Sequence, residues 1–405
     1  MAISKVSPES LFPVKGVRLA TAATGIRYQH RDDLLLMEIC KHARTAAVFT
    51  TNQFCAAPVI VCKRHLGTVQ PKYLLVNAGN ANAGLGAQGI ADTCAACTAL
   101  ARESGCNESE VLPFSTGIIG ERLDVEKMTP YYAQLIGHLE EDGWVAAAKA
   151  IMTTDTVSKG FSKQVKLDGH TVVVTGIAKG SGMIYPDMAT MLAFVATDLG
   201  FDSRSVVSVL SDAVRQSFHC VTVDGDTSTN DACVLIATGQ AGIDFSELSE
   251  RARVEFIRTL DSLFLDLAQS IVRDAEGITK YICISVDQAP SESMARNIAF
   301  TVAHSPLVKT MAYASDPNWG RIMAAAGRAK AGPLEMNRLS LYINGLKVVT
   351  NGKLASGYTE EAGIQAMQND EIEFRLELGL GSCSARVWTS DLSHEYVKIN
   401  AEYRS

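Results

Sequence analysis

Two hydrophobic patterns alternate along most of the chain and predict an α/β fold. Continuous or β-branched apolar runs predict buried strands at Tyr73–Asn77 and Thr171–Ala178. Apolar residues at helical spacing predict helices at Ile90–Ser104, Ser203–Phe218 and Leu248–Arg273, of which the last is the longest. Because strands and helices follow one another in turn, we expect sheets covered by helices.

The pattern changes in the last part of the chain. Asn344-Gly345 lies between two short apolar segments and predicts a tight hairpin. Hydrophobic and charged residues alternate over 372–378, as in a strand with one solvated face. The stretch 285–294, rich in Pro, Ser and Glu, predicts a boundary between a larger domain, 1–284, and a smaller α/β domain, 285–405.

Length, charge and cysteine content narrow the functional classes. The 405 residues include 37 basic and 44 acidic side chains, a net charge of −7, which argues against a nucleic-acid or anionic-membrane partner. No apolar run reaches the roughly 18 residues of a membrane span, and Met1–Gly16 lacks the apolar core of a secretory signal. Ten cysteines scattered through such a chain are best interpreted as reduced thiols, so we expect a cytoplasmic protein.

Two short motifs resemble cofactor or metal sites, but each is better explained as packing. Gly84-x-Gly86-x-x-Gly89 has the spacing of a dinucleotide fingerprint, yet several residues separate it from the end of the preceding strand, where its first glycine would have to lie. Cys94-x-x-Cys97 lies on the apolar face of a predicted helix, with no second cysteine or histidine pair at zinc spacing.

The segment Asp224–Asn230 resembles the start of a calcium-binding loop. Its sixth position is Thr229, where the loop needs glycine, and its twelfth is Leu235, where the loop needs glutamate. The histidines show no metal-binding pairing, and His219 and His394 are better explained as structural residues than as catalytic ones. We therefore expect no metal site.

A loop containing glycine and proline, 178–190, runs from a predicted strand into the apolar segment 190–196. A hydroxyl residue at such a junction, here Thr190, can act as a nucleophile. If the peptide bond before it breaks, the freed α-amine becomes a general base beside the hydroxyl, and the hydroxyl can drive that break by attacking the preceding carbonyl. From the residues alone, a threonine that begins a buried strand is the more common explanation.

Two further positions fit the same chemistry. Gly117 beside Thr116 can place a backbone N–H and a side-chain hydroxyl in one oxyanion hole. Lys179 is a natural partner for a substrate carboxylate. A plain turn and a solvated lysine are the simpler alternatives.

Ten segments match one known family in sequence and in order. They are Val14–Arg18, Thr50–Phe54, Val76–Gly84, Ser115–Gly120, Met152–Thr156, Lys179–Met183, Met188–Leu192, Thr222–Asp231, Asp316–Arg321 and Tyr396–Tyr403. Through them the chain resembles, over essentially its whole length, the ornithine acetyltransferase family of arginine biosynthesis, the glutamate N-acetyltransferases (ArgJ).

The resemblance implies self-cleavage between Ala189 and Thr190 into an α chain, 1–189, and a β chain, 190–405. Thr190 is then the nucleophile that carries the acetyl group as an ester, and its freed α-amine is the base. The resemblance also implies a four-layer α/β/β/α core of the self-cleaving ArgJ/DmpA-like type. A smaller C-terminal α/β domain, whose tail returns to the active site, and an α₂β₂ heterotetramer are implied with it.

The family's site residues have counterparts here. Thr116 and Gly117 match its oxyanion-hole pair. Its substrate-binding positions match Thr153, Lys179, Thr190, Glu276, Asn400 and Ser405. Lys179 and Glu276 supply the cation and the anion that the carboxylate and the amine of an amino acid need. The family usually ends in threonine, and because Ser405 keeps the hydroxyl and the terminal carboxylate, we expect binding to persist.

The implied reaction is a ping-pong transfer. N-acetylornithine gives its acetyl group to Thr190, and glutamate then takes it, so the resemblance implies no cofactor. Some family members also accept acetyl-CoA as donor. One alternative is a related self-cleaving amidohydrolase or aminopeptidase with water as acceptor, and another is a non-enzymatic nucleotide- or metabolite-binding regulator that uses Gly84–Gly89. The charged pair and the C-terminal segment favour transfer.

Overall fold

A computed structural model describes Ile3, residues 7–185 and residues 191–402 of the chain. The predicted cleavage point, Ala189 and Thr190, and the terminal Ser405 lie outside the described residues. Fifteen strands and twelve α-helices occur in the described part. None of these helices is long and apolar enough to cross a membrane.

The elements are numbered in chain order. The strands are β1 (Val17–Ala22), β2 (Leu34–Ile39), β3 (Arg44–Phe49), β4 (Tyr73–Asn80), β5 (Val111–Ile118), β6 (Lys159–Leu167), β7 (His170–Lys179), β8 (Leu192–Thr197), β9 (Ala232–Ala237), β10 (Tyr281–Ala289), β11 (Ser340–Ile343), β12 (Leu346–Thr350), β13 (Lys353–Leu354), β14 (Glu371–Glu377) and β15 (Cys383–Ser390). The helices are α1 (Ala57–Leu66), α2 (Gly86–Ser104), α3 (Val125–Met128), α4 (Tyr132–Gly137), α5 (Trp144–Ala150), α6 (Ser203–Gln216), α7 (Glu250–Arg273), α8 (Glu292–Ala303), α9 (Pro306–Tyr313), α10 (Trp319–Gly327), α11 (Glu360–Met367) and α12 (His394–Ala401).

All five predicted elements are confirmed, with small changes at their ends. The end of α2 is a left-handed Gly105 with φ +68°, and the start of α6 is capped by Asp202, whose carboxylate accepts two backbone N–H groups. The predicted hairpin between β11 and β12 is also present. Asn344 and Gly345 have φ of +47° and +80°, as the two central residues of a tight hairpin turn require.

The larger unit contains two sheets. The first has the strand order β1-β2-β4-β5 and the second β3-β9-β8-β7-β6. In each sheet one pair of neighbouring strands is parallel, β4 with β5 and β8 with β9, and its connection contains a helix, α2 or α6. Every residue of β4, β8 and β9 is buried, which explains their continuous apolar sequences.

Both sheets share one hydrophobic core. Phe114 of β5 and Phe194 of β8 meet edge-on in this core, with ring centroids 5.1 Å apart. Leu100 of α2 belongs to the core on the other face of the first sheet. On the second sheet, Leu267 of α7 packs so closely on Gly176 of β7 that a Cβ there would lie 2.9 Å from it. The layers therefore follow the order α/β/β/α, which confirms the predicted core.

Within the described part of the chain, the smaller unit consists of Ile3, Cys220–Gly225 and residues 272–402. Its single sheet has the strand order β13-β12-β11-β14-β10-β15. Ile298 of α8, Met311 of α9 and Phe374 of β14 belong to one buried core between helices and sheet. This unit is the predicted smaller α/β domain.

The division between the units lies at residues 271/272, whereas the composition predicts 284/285. The difference comes from β10, which pairs in parallel with β14 and antiparallel with β15. A strand with partners on both sides belongs to the core of their sheet, so residues 272–284 join the smaller unit. A stretch rich in Pro and Ser marks a loop, but it does not indicate which strands pair on either side of it.

Candidate active site

The predicted oxyanion pair lies at the end of β5, beside an irregularity in its pairing with β4. Thr116 is buried and Gly117 is partly exposed. The register between the strands shifts at Gly79 and Asn80. Gly117 has φ +136°, and a Cβ there would lie 2.2 Å from the Gly79 carbonyl carbon. Only glycine fits this position, so the backbone turn at the end of β5 requires glycine at position 117.

The side chain of Lys179 contacts two other predicted site residues. Lys179 is the last residue of β7 and is only 3% exposed. Its Nζ donates hydrogen bonds to Thr153 Oγ1 at 2.8 Å and to Thr116 Oγ1 at 3.2 Å. The ends of β5 and β7 and the loop after α5 therefore meet at one ammonium group.

Asp155, which was not among the predicted site residues, holds the backbone around this cluster by hydrogen bonds. Its Oδ1 accepts hydrogen bonds from Lys159 Nζ at 2.6 Å and from the Gly180 amide at 2.7 Å. Its Oδ2 accepts the Thr153 amide at 3.0 Å. Burial alone would raise the pKa of Asp155, but the charges of Lys159 and Lys179 and these hydrogen bonds hold the pKa well below its ordinary value. The Asp155 carboxylate thus fixes the backbone at Thr153 and at Gly180, the residue after Lys179.

Buried amide side chains hold the backbone turn at the end of β5. Ser115 Oγ donates to Asn77 Oδ1 at 2.6 Å, and Asn77 Nδ2 donates to the Asn80 carbonyl at 2.9 Å. Asn230 Nδ2 donates to the Ser115 carbonyl at 2.9 Å and to the Ala81 carbonyl at 2.6 Å. Each polar group here has a partner within the protein, so the end of β5 is held by hydrogen bonds as well as by packing.

The glycine and cysteine motifs serve packing in the structure. Asn82 Nδ2 donates to the Gly89 carbonyl at 3.0 Å, and a Cβ on Gly89 would lie 2.9 Å from Asn82 Oδ1. Glycine is needed there because α2 approaches the turn after β4 closely. Cys94 and Cys97 are free thiols, and Cys97 is buried in the core beneath α2.

The other two predicted binding residues within the described part lie together in the smaller unit. Asn400 Nδ2 of α12 donates to Glu276 Oε2 at 2.9 Å. Gly277 has φ +68°, and a Cβ there would lie 2.4 Å from the Tyr396 amide nitrogen. Ser393, the N-cap of α12, donates from its Oγ to the Gly277 carbonyl at 2.6 Å. The loop that carries Glu276 is therefore held against the first turn of α12.

Comparison with known proteins decides the family. A model described as the ArgJ family matches residues 18–405. The chain belongs to the ArgJ family. Among its relatives, the arginine biosynthesis bifunctional protein ArgJ of Methylococcus capsulatus is 51% identical, over 98% of this chain and 97% of its own. The protein of the same name from Pseudomonas syringae is 46% identical over the full length of both chains.

The solved structures include the arginine biosynthesis bifunctional protein ArgJ of Bacillus halodurans. It is 33% identical and covers 51% of this chain and 97% of its own, with a TM-score of 0.49. Membership of the ArgJ family confirms the resemblance that the ten sequence segments indicated.

Proposed function

We propose that this protein is an acetyltransferase of arginine biosynthesis that moves an acetyl group from N-acetylornithine to glutamate through an acetyl-Thr190 intermediate. The observation that carries the proposal is the buried ammonium group of Lys179, which is hydrogen-bonded to the hydroxyls of Thr116 and Thr153. Family membership over nearly the whole chain supports the same reaction.

Formation of the acetyl-enzyme is the first step. The Thr190 hydroxyl attacks the acetyl carbonyl while the α-amine of Thr190 takes the hydroxyl proton. The developing oxyanion accepts hydrogen bonds from the Thr116 hydroxyl and the Gly117 amide. Because Thr116 Oγ1 already accepts a hydrogen bond from Lys179 Nζ, its own proton points elsewhere and is made a stronger donor by the neighbouring cation.

Departure of ornithine completes the first step, because the ammonium at Thr190 returns its proton to the amine of ornithine as the C–N bond breaks. Transfer to glutamate is the second step. The α-amine of glutamate attacks the ester and gives a proton to the α-amine of Thr190, which passes it to the departing Thr190 oxygen and so regenerates the hydroxyl. The amide broken and the amide formed are nearly equal in energy, so the reaction needs no cofactor.

Charge complementarity supports an amino-acid substrate. Lys179 provides a cation for the substrate carboxylate, and Glu276, held by Asn400, provides an anion for an amino group. Thr153 presents a hydroxyl beside Lys179. Ser405 completes the proposed binding set with its hydroxyl.

The proposal also covers the processing, the assembly and the location of the enzyme. We infer self-cleavage between Ala189 and Thr190, assembly of two α and two β chains, and a cytoplasmic location. The relatives are named bifunctional, which supports acetyl-CoA as an additional donor. We propose no metal, nucleic-acid or membrane partner.

A transfer assay tests the reaction directly. Purified protein is supplied with glutamate and either N-acetylornithine or acetyl-CoA, and N-acetylglutamate and free acetate are quantified. We expect N-acetylglutamate as the main product, whereas a predominance of acetate would favour the amidohydrolase alternative. A denaturing gel should show chains of 189 and 216 residues in the wild type. Thr190→Ala should remain a single inactive chain, and acetyl transfer by this variant would refute the nucleophile.

A further inference from the structure

A buried carboxylate holds the loop 276–280, which leads from Glu276 into β10. Asp391 follows the last residue of β15 and is 4% exposed. Its Oδ1 accepts the amides of Thr279 at 2.9 Å and of Lys280 at 3.0 Å, and its Oδ2 accepts the Thr279 hydroxyl. Asp391 thus binds two consecutive residues of the loop, although 112 positions separate it from Thr279 along the chain.

These hydrogen bonds lie beyond the part of the sheet that the strands themselves hold. β10 and β15 pair antiparallel from Tyr281 with Ser390 onward, and main-chain hydrogen bonds stabilise that ladder. Thr279 and Lys280 lie between Glu276 and β10 in the chain. The three hydrogen bonds that the Asp391 carboxylate accepts therefore fix the connection between the sheet and Glu276 rather than the sheet itself.

Lys309 of α9 fixes the segment that carries Asp391. Lys309 is 5% exposed, and its Nζ donates to Thr389 Oγ1 at 3.1 Å, to Ser390 Oγ at 3.3 Å and to the Ser390 carbonyl. The Leu392 amide donates to the Lys309 carbonyl at 3.3 Å. Burial lowers the pKa of Lys309 to about 8, and the charge of Asp391 opposes this shift. A buried cation therefore interacts with the Asp391 carboxylate and holds the backbone on either side of it.

The same segment continues into α12, which carries Asn400. Ser393 is the N-cap of α12, and its Oγ donates to the Gly277 carbonyl at 2.6 Å. Asp391 and Ser393 thus bind the loop 276–280 at two separate points. The side chain of Glu276 accepts the Asn400 amide from the same helix. The residues 391–393 therefore fix the backbone of the loop, and Asn400 fixes the Glu276 carboxylate that the loop carries.

We propose that Asp391 is a positioning residue, which holds the Glu276 carboxylate where it binds the side-chain amine of N-acetylornithine. The inference rests on the proposed function. The α-amine of this donor carries the acetyl group, so its free amine is the one at the end of the side chain. A charge-assisted hydrogen bond to that amine depends on the position of the carboxylate. Without the Asp391 carboxylate, the loop loses three hydrogen bonds and Glu276 shifts relative to the substrate.

The test compares two donors that differ in this amine. Purified variants are assayed with N-acetylornithine and with N-acetylnorvaline, which has the same carbon chain without the side-chain amine. In a ping-pong transfer, kcat/KM for the donor reports on formation of the acetyl-enzyme alone. The wild type should prefer N-acetylornithine, because only this donor offers the Glu276 carboxylate a cation.

Asp391→Ala should reduce this preference. We expect kcat/KM for N-acetylornithine to fall about 10-fold or more, mainly through KM, while kcat/KM for N-acetylnorvaline changes little. Asp391→Asn keeps an oxygen for the two loop amides and should restore most of the preference. If Asp391→Ala does not fold, Thr279→Val decides instead: it removes one of the three hydrogen bonds at an exposed residue and should lower the preference about threefold.

Two further variants separate positioning from a general loss of stability. In the Glu276→Ala background, Asp391→Ala should change kcat/KM for N-acetylornithine less than about threefold, because no carboxylate is left to position. Asp202→Ala is the matched control, since Asp202 also accepts two backbone amides and a serine hydroxyl, at the start of α6. It should keep the wild-type preference between the donors. Thermal unfolding of each variant shows whether it is folded.

The outcomes separate this inference from the proposed function. A wild-type preference in folded Asp391→Ala, or in Thr279→Val where Asp391→Ala does not fold, would overturn the role of Asp391 and leave the proposed function in place. An equal loss with both donors would also overturn it, because Asp391 would then support the fold rather than Glu276. If Glu276→Ala kept the preference, Glu276 would not bind the amine and the inference would fail with it. A wild type that transfers no acetyl group to glutamate would instead refute the proposed function.

Discussion

The ammonium group of Lys179 donates a 2.8 Å hydrogen bond to the hydroxyl of Thr153, although 26 residues separate the two along the chain. Lys179 ends a strand, and Thr153 lies in the loop after a short helix. The Thr153 amide and the amide of Gly180, which follows Lys179, both donate to Asp155. The proposed site is therefore organised around a buried cation that donates to the hydroxyls of Thr116 and Thr153 and interacts with the charge of the Asp155 carboxylate.

Replacing Lys179 should weaken substrate binding. In Lys179→Met the substrate carboxylate loses a charged hydrogen bond worth about 1.5–3 kcal/mol, so KM for N-acetylornithine should rise about 10–100-fold. kcat should also fall, because the Thr116 hydroxyl loses the cation that polarises it. Lys163→Met is the control, since Lys163 pairs with Asp266 in a partly exposed ion pair. Unchanged kinetics in Lys179→Met would contradict its role.

Gly117 should tolerate no side chain. Gly117→Ala places a Cβ 2.2 Å from the Gly79 carbonyl carbon at a φ of +136°, so the end of β5 must shift. Loss of one oxyanion donor lowers kcat by about 10²–10³-fold in other enzymes, and we expect at least that effect. Thermal unfolding and acetyl transfer are measured together. Gly137→Ala has open space around the new Cβ and should match the wild type in both.

The Glu276–Asn400 pair should act through charge. Glu276→Gln keeps an oxygen for Asn400 Nδ2 but removes the anion, so kcat/KM should fall about 10-fold or more by loss of a charge-assisted contact to the substrate amine. Asn400→Ala should produce a smaller loss, because Glu276 keeps its charge but loses its support. Steady-state kinetics with both substrates are compared with Asn297→Ala, an exposed amide on α8. If Glu276→Gln behaved like this control, Glu276 would not bind the substrate.

Asp155 should make stability depend on pH. The pKa of its carboxyl group is held below that of the unfolded chain, which is about 3.9. Asp155 therefore stabilises the fold above about pH 4, and this contribution is lost as the pH falls through the folded-state pKa. Asp155→Asn should reduce stability at neutral pH by about 3–5 kcal/mol, because the buried Lys159 ammonium loses the carboxylate charge that compensates its burial.

Denaturant unfolding at neutral and acidic pH tests this prediction. The difference between wild type and Asp155→Asn should shrink as the pH falls below about 4. Asp142→Asn, at an exposed position, serves as control. A difference that remained constant with pH would show that the ionised carboxylate is not the source of the stability.

Local patterns were sufficient for the elements whose stabilising contacts are close in sequence. α7 follows from its apolar spacing, and the hairpin at Asn344-Gly345 follows from residues that tolerate positive φ. The smaller unit begins thirteen residues before the expected boundary, because β10 pairs with strands about ninety or more residues further along. Strand partners at that distance leave no periodicity in the local sequence.

The sequence by itself determined the family, because ten ordered segments match it, and with the family came Thr116, Gly117, Thr153, Lys179, Glu276 and Asn400 as candidate site residues. Only the tertiary structure decided which of them meet. It brings Thr116, Thr153 and Lys179 to one ammonium group, and it places Glu276 against Asn400. Asp155 became visible only there, because burial and hydrogen bonding change the free energy of a carboxylate and both depend on the tertiary structure around it.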